Sequence, residues 1–516
     1  MAFIALALGL AAASTGDRAT ALATRLVEEV GPRPAGSEGA DAAQRWVMEE
    51  IEARGWVPRR DAYGAWSTVW ACRRGQSARV VLFLAHTDSV HAAVPGAHDN
   101  ASSVAVLLTA MEDRIPAKPR RTVCFAFPDA EELGLLGAEG FAVRAADQGM
   151  LGGPIDQVMA LEMVGAGRIV HNGLGTPWDG PRLKELLRVA PAEVPWMYRG
   201  VSWALPHMER SDHRPFADRG IPASMLLGRP DANVLWAYHT EADRPETLQP
   251  ETLGAAVKAV RHVARARPLP SPGAPDPAVA LFGWVLPGWI LQGALGLGAL
   301  ASVLSLREVD RTLPKALGQW LVVSGAFASA VALAGAGRPL HAALVEPTWL
   351  AGLLAAAMAA WAWPWPASGG SGRALGGLYG LLALAITPWA GVVLAAPLAV
   401  ASMAAILATR APSPWFRGLL TLLAAWPMLH LVRPAALREL AFHGLYPAAA
   451  LPWGLLVCIL SLPVVVALQG RALPRRRGPA LGALLVGVGV ALVWSWSSPV
   501  HDDTFPPRVQ RWAGGP

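Results

Sequence analysis

Apolar positions follow two rhythms before residue 267 and a third one after it. Leu22, Leu26 and Val30 share one face of a helix over 17–30. Ala43, Val47 and Ile51 do the same over 39–54. Four runs, Arg79–Leu84, Thr122–Phe127, Gln157–Leu161 and Ala223–Leu227, are apolar with little interruption. Runs this short and this uniform suit strands buried on both faces. Helical spacing returns between and after them, over Ala101–Met111, Leu133–Ala146, Pro181–Ala190 and Pro250–Ala266. Strands alternating with helices predict an α/β domain over 17–266, a mixed and largely parallel sheet sandwiched by helices.

From 278 to 497 polar positions thin out and apolar runs approach the ~20 residues that cross a bilayer core. The pattern predicts an all-α transmembrane domain of about eight helices. Their centres fall near 280–304, 316–336, 348–366, 374–391, 392–409, 418–436, 447–468 and 479–496, and a polar tail covers 498–516. Arg267 to Pro277 carries Pro268, Pro270, Pro272, Pro275 and Pro277, which marks 267–277 as a linker. The apolar stretch inside 1–14 reads as a signal or anchor segment, or as the opening turns of a helix.

The net charge of +6 suggests a polyanion partner until it is mapped. Residues 280–500 hold 13 Lys/Arg against 4 acids, a surplus of +9 that leaves about −3 for the rest. The basic surplus belongs to membrane loops and gives a nucleic-acid partner no support. With the head outside, the loops that would face the cytoplasm carry Arg307, Arg311, Lys315, Arg373, Arg410, Arg417, Arg471 and Arg475 to Arg477. The opposite loops carry only Arg338, Arg433 and Arg438. Positive residues favour the inside, so head and tail are expected on the non-cytoplasmic side of a multi-pass membrane protein. The cysteines Cys72, Cys124 and Cys458 form no motif. Cys124, inside an apolar strand, reads as a buried free thiol rather than a partner of Cys72.

Candidate chemistry clusters where the apolar strands end. His86 follows the run ending at Leu84, and Asp88 stands two residues on. Open α/β sheets hold ligands at that edge. A neutral imidazole is the commonest metal ligand and needs a neighbour to fix its tautomer, so His86 reads as a zinc ligand oriented by Asp88. Asp99 opens the next helix, where a carboxylate can bridge two metals. Glu131 and Glu132 follow the second strand; one of such a pair can ligate a metal while the other serves as general base. Glu162 ends the third strand, and Tyr238-His239 precedes Asp243. Three carboxylates and two imidazoles suit zinc in a catalytic site.

In this order the motifs resemble the co-catalytic zinc aminopeptidase family, within the transferrin-receptor/glutaminyl-cyclase-like superfamily. The residues that carry the likeness are His86-Thr87-Asp88, Asp99-Asn100-Ala101-Ser102, Glu131-Glu132-Leu133-Gly134, Leu161-Glu162-Met163, Ser211-Asp212-His213 and Tyr238-His239-Thr240, with Gly31-Pro32-Arg33-Pro34 upstream. Fusion to a multi-span domain resembles the membrane-bound metallopeptidases of the endoplasmic reticulum and vacuole. The resemblance implies two zinc ions, one held by His86, Asp99 and Glu162, the other by Asp99, Glu132 and His239. It implies Glu131 as the base and Tyr238 as the group that steadies the oxyanion. Asp88, Asp212 and Asp243 would stand behind the ligands.

Two positions depart from the soluble members, Glu162 where they carry Asp and His98 beside the bridging Asp. The longer arm of Glu162 leaves a single-zinc enzyme as the alternative. His213 reads either as a site residue or as a structural neighbour of Asp212, and His91, His98 and His207 read as loop residues. The function implied is removal of N-terminal residues from peptides by metal-activated water, with peptides and a lipid bilayer as partners. Other readings are a carboxypeptidase or glutaminyl-cyclase-like hydrolase, and an inactive binding head on a membrane transporter or scaffold.

Overall fold

The computed structural model describes chiefly residues 14–307 and 369–432, apart from short internal stretches. The spans expected near 316–336, 348–366, 447–468 and 479–496 lie outside or almost wholly outside the described residues, as do the segment up to residue 13 and the tail. The chain divides into two compact units, with the break between Pro287 and Gly288.

The first unit is built on seven strands: β1 (Arg59–Tyr63), β2 (Trp66–Arg73), β3 (Ser77–Leu84), β4 (Arg121–Pro128), β5 (Ile155–Glu162), β6 (Arg168–Asn172) and β7 (Ala223–Arg229). They are ordered β1-β2-β4-β3-β5-β7-β6. β4, β3, β5 and β7 run parallel, and β1, β2 and β6 pair antiparallel at the two edges. The four parallel strands are the four apolar runs. Their alternate side chains feed two cores, because successive residues of a strand point to opposite faces. Val81, Phe83, Phe125, Met159 and Leu161 join a large cluster beneath the helices α1 (Thr15–Val30), α2 (Glu38–Ala53), α3 (Ser102–Met111), α5 (Gly180–Val189) and α6 (Pro250–Arg265). Val80, Leu82, Leu84, Cys124 and Ala160 face a smaller one that includes Phe141 and Ala142 of α4 (Leu136–Ala142) and Phe216.

Helix starts follow from capping. Ser14 accepts a hydrogen bond from the Asp17 amide while the Asp17 carboxylate takes the Ser14 amide, a closed capping box. Ser37 and Asp179 cap α2 and α5. Helix α4 is shorter than its apolar spacing predicts. Gly134 and Leu135 take left-handed backbone, with φ of 105° and 64°, and keep 131–135 as a turn.

Two features depart from expectation. Cys72 and Cys124 form a disulfide. They stand directly opposite one another across the antiparallel β2–β4 pair, a register that sequence spacing does not show. The stretch from 279, read as the start of the first span, instead forms a hairpin, β8 (Val279–Leu281) and β9 (Trp284–Leu286), within the first unit. The Pro-rich stretch before it lies along the head. Leu269 N–H donates to Asp156, Arg182 to the Pro270 carbonyl, Gly273 N–H to Asp179, and Arg199 to the Ala278 carbonyl.

The second unit shows four helices among the described residues: α7 (Gly288–Leu306), α8 (Gly369–Ala385), α9 (Thr387–Arg410) and α10 (Pro414–Val432). Each packs on at least one other. Of these, α7 is long and apolar enough to cross a membrane, with mean hydropathy 1.6 over its best window.

Candidate metal centre

The carboxyl ends of the parallel strands open on one rim, and the candidate residues gather there. His86 lies just past β3, Glu131 and Glu132 past β4, and Glu162 ends β5. Asp99 sits in the short turn Ala97–Ala101 and is joined to Asn100 by a cis peptide bond. His86 Nε2 is 3.3 Å from Asp99 Oδ1 and 3.4 Å from Glu162 Oε1. His239 Nε2 is 3.1 Å from both Asp99 Oδ2 and Glu132 Oε1. Two groups able to hold a metal ion result, His86–Asp99–Glu162 and Asp99–Glu132–His239, and Asp99 belongs to both.

The donor atoms fit a cation better than they fit each other. Asp99 Oδ1 and His239 Nε2 are buried and close to their neighbours, yet make no hydrogen bond. Lone pairs converging at such distances without hydrogen-bond alignment are what a shared ion requires. The charge balance agrees. Burial opposes a charge on His239, but Glu132 and Asp99 outweigh it and push the imidazole up to about 10. Three carboxylates in a buried place call for positive charge, and a pair of divalent ions would supply it.

Several backbone and side-chain contacts fix these donors. Asp88 meets His86 Nδ1 at 3.3 Å and also accepts from the backbone N–H groups of Glu131 and Glu132, each at 3.1 Å. One carboxylate thus sets the imidazole and the turn that carries both glutamates. Asp243 accepts from the His98 and Asp99 amides at 2.6 and 3.0 Å, so it fixes the backbone of the residue common to both groups. Asn100 donates to the Leu161 carbonyl and accepts from Met163 N–H, tying the Asp99 turn to the end of β5. Ser211 donates to Glu162 Oε2 at 2.9 Å. Asp212 is buried next to this group, and burial together with the charges of Glu162 and Asp88 raises it to about 8. His213 points elsewhere, with Nε2 3.3 Å from Glu209.

The Glu131 carboxyl is shifted upward. Burial pushes it well above its ordinary value, and Glu162, Glu132 and Asp212 add to the shift against the opposing pull of His86. The Glu131 backbone N–H is held by the same Asp88 carboxylate that holds that of Glu132. Tyr238 stacks on His239 with ring centroids 3.7 Å apart. Burial, and then the charges of Asp99, Glu132, Glu131 and Glu162, keep its hydroxyl protonated and able to donate.

Sequence reasoning gave Arg33 no role of its own. It is fully buried and donates to the carbonyls of Gly31, Thr87, Pro95 and Gly96, so it clamps the loop between His86 and Asp99 from beneath. An arginine fork inside a Gly-Pro-Arg-Pro turn was the available signal. His98, read as a loop residue, is buried, and burial lowers it to about 4.

Backbone strain marks the same rim. Four non-glycine residues in the described chain have left-handed φ, namely Ala130 at 61°, Leu135 at 64°, Met163 at 46° and His239 at 60°. Ala130 precedes Glu131, Met163 follows Glu162, and His239 is itself a donor. Such conformations cost of order 1–3 kcal/mol and cluster at working sites.

A mixed sheet that gathers buried acids and imidazoles at its carboxyl rim is a zinc-exopeptidase-like α/β fold. Residues 68–264 match the family model of Peptidase family M28. Leucine aminopeptidase 2 of Trichophyton equinum is 29% identical over 174 residues, covering 31% of this chain and 33% of that protein. The Trichophyton rubrum protein of the same name is 28% identical over the same length. The chain therefore spans about a third of the length of these curated relatives. Among solved structures, a glutaminyl cyclase from an Acidobacteriales bacterium aligns with TM-score 0.40 at 18% identity, over 49% of this chain and 96% of that one. A leucine aminopeptidase precursor from Bacteroides thetaiotaomicron aligns with TM-score 0.40 at 17% identity, over 48% and 96%.

Proposed function

We propose that the chain is a membrane-anchored, zinc-dependent exopeptidase that removes N-terminal residues from peptides outside the cytoplasm. The observation that carries this reading is the pair of triads sharing Asp99, with Glu131 next to the ligand candidate Glu132 on the turn that Asp88 holds. His86, Asp99 and Glu162 would hold one zinc ion, and Asp99, Glu132 and His239 a second. When bound, the ions supply Lewis acidity toward the scissile carbonyl and make a water molecule acidic near neutral pH. Glu131 takes the proton of the attacking water on its carboxylate and delivers it to the departing amine. Tyr238 donates its O–H to the oxygen that becomes negative. Asp88 keeps the Glu131–Glu132 turn in register through the two amides it binds. The names of the curated relatives, leucine aminopeptidases, support the substrate class.

Two observations support the location. The Cys72–Cys124 disulfide suits an oxidising compartment. The helical unit is arranged for lipid, with large apolar side chains outward and glycine, alanine and serine inward. Trp289, Leu297, Leu300 and Leu304 of α7 are exposed, while Gly298, Ser302 and Ser305 are buried. Ser402 donates to the Gly376 carbonyl across two helices, the kind of contact that joins helices in a bilayer. We read this unit as part of a multi-pass domain.

The test is metal analysis of the purified chain together with hydrolysis of aminoacyl, N-blocked and N-terminal glutaminyl peptides. Zinc near two equivalents and cleavage confined to free N-termini are expected. Glu131→Ala should lose at least ~10²–10⁴-fold in hydrolysis while keeping its metal. Normal turnover in that variant refutes the assignment. Cleavage of blocked peptides, or cyclisation without cleavage, moves it to another hydrolase or cyclase of the superfamily.

A further inference from the structure

The hairpin β8–β9 presents two different surfaces. Ala280 and Val285, paired across the hairpin, pack against the large core of the head, and Ala278 and Val279 are buried. Its root is fastened by Arg199, whose guanidinium donates to the Ala278 carbonyl and to the carbonyls of Leu174, Gly175 and Trp178. Trp284, next to Val285, alternates to the opposite side and is 76% exposed. A tryptophan this bare is out of place on a soluble surface, because its ring is largely apolar.

The sequence around it explains the exposure. No Asp, Glu, Lys or Arg occurs from Pro277 to Leu306, so the uncharged stretch begins in the hairpin and not at α7. Two residues after β9 the chain enters α7, whose own first turn carries Trp289, 68% exposed. Tryptophan collects at the boundary between lipid headgroups and hydrocarbon, where an apolar body and one N–H donor are both accommodated.

We propose that the β8–β9 hairpin is the seat of the peptidase head on the bilayer, with Trp284 inserted in the headgroup layer. This rests on the reading of α7 as a membrane span. The hairpin is fixed to the head by the Arg199 clamp and by its own buried face. The Pro-rich stretch, hydrogen-bonded along the head, then acts as a strap and not as a tether.

The experiment uses the full chain in nanodiscs, in a Cys458→Ser background so that no other free thiol reacts. Trp284→Cys, Val57→Cys and Leu300→Cys are each spin-labelled. Collision with oxygen and with a water-soluble nickel chelate then reports depth. Val57 is an exposed head residue and Leu300 lies mid-way along α7, so they serve as the aqueous and hydrocarbon references. Trp284 is exposed, and its replacement should leave the fold intact.

The label at 284 should show an oxygen-to-chelate collision ratio severalfold above that at 57 and below that at 300. A ratio at 284 equal to that at 57, with 300 in hydrocarbon, overturns the seat and leaves the membrane span standing. Screening of 284 from both reagents also overturns it, since a protein surface would then cover the hairpin. Chelate access at 300 removes the span itself, and the seat with it. If the label at 284 perturbs the chain, quenching of native fluorescence by lipids brominated near the headgroup, compared between wild type and Trp284→Phe, reads the same depth. Equal quenching in the two proteins overturns the proposal.

Discussion

The two units of this chain answer opposite packing problems with the same twenty side chains. In the head the large apolar groups are inside: Trp178, Phe83, Phe125, Phe127 and Phe141 are fully buried. In the helical unit Trp415 is 89% exposed and Leu419 and Leu422 are exposed with it, while Gly298 lies against Ala399 and serines fill the helix crossings. Water drives the first arrangement. The second arrangement is the one expected if lipid surrounds the helices, as proposed above, because lipid offers no such drive and leaves close approach of small residues to hold helices together. The head also holds what the described helices of the second unit lack, a dense set of buried carboxyls. It does so because backbone amides, Arg33 and the expected cations answer them.

The sharpest way to break this contrast is to remove one of those answers. Arg33→Met leaves four carbonyls and the nearby carboxylates without their buried cation. It should cost about 3–5 kcal/mol of head stability. Metal content and hydrolysis should fall with it. Arg33→Lys keeps the charge but not the fork and should recover only part of the loss. Denaturant unfolding with metal analysis checks both; wild-type stability in Arg33→Met would mean that the clamp is idle.

Next in size is the cross-strand link. Cys72→Ser opens a loop with a sequence separation of 52. Chain-entropy reasoning puts the loss near ~4 kcal/mol. It should appear in the melting of the head and be absent when wild type is measured fully reduced.

Acid offers a third probe. Burial lowers His171 from 6.5 to about 4, and its Nε2 bonds the Ala190 carbonyl. Between those values the unfolded state binds a proton that the folded state refuses. Stability therefore falls as pH drops from 6.5 toward 4 and levels off below. The shift corresponds to no more than roughly 3 kcal/mol. His171→Gln should flatten that limb of the melting temperature against pH.

The smallest test lies within the helical unit. A Cβ at Gly298 would come within 2.7 Å of the Ala399 Cβ. Gly298→Leu should therefore cost ~1–3 kcal/mol by overpacking. Leu297→Ala, on the exposed face, should cost far less in lipid. The reverse order, read from thermal melts in nanodiscs, would mean that this unit packs like a soluble bundle.

How much of this was legible in the sequence depended on how local the cause was. The four parallel strands and the flanking helices were, because apolar runs and capping residues act within a few positions. The edge strands were not: Arg59–Tyr63 is polar and half-exposed, and its pairing is set by β2. The disulfide needed the β2–β4 register, and the hairpin at 279–286 hid inside an apolar stretch that resembled a helix start. At the rim, the residue types of the triads could be named from spacing. Which of Glu131 and Glu132 is the ligand came from the family resemblance alone, since the left-handed residues that flank the pair, Ala130 and Leu135, are a tertiary matter. Arg33 and Ser211 lie in motifs that the sequence displays, but the groups they bind at the rim, the Thr87 carbonyl and Glu162, are more than 45 positions away, and local pattern does not name them.

The four left-handed residues around the rim bear on how this protein could be improved. Glycine would relax Ala130 or Met163 at once, and a search for heat-tolerant variants would select such changes early. Each would let the adjoining glutamate swing, so hardier progeny should turn over more slowly. Selection for durability and selection for speed would thus pull on the same two positions in opposite directions.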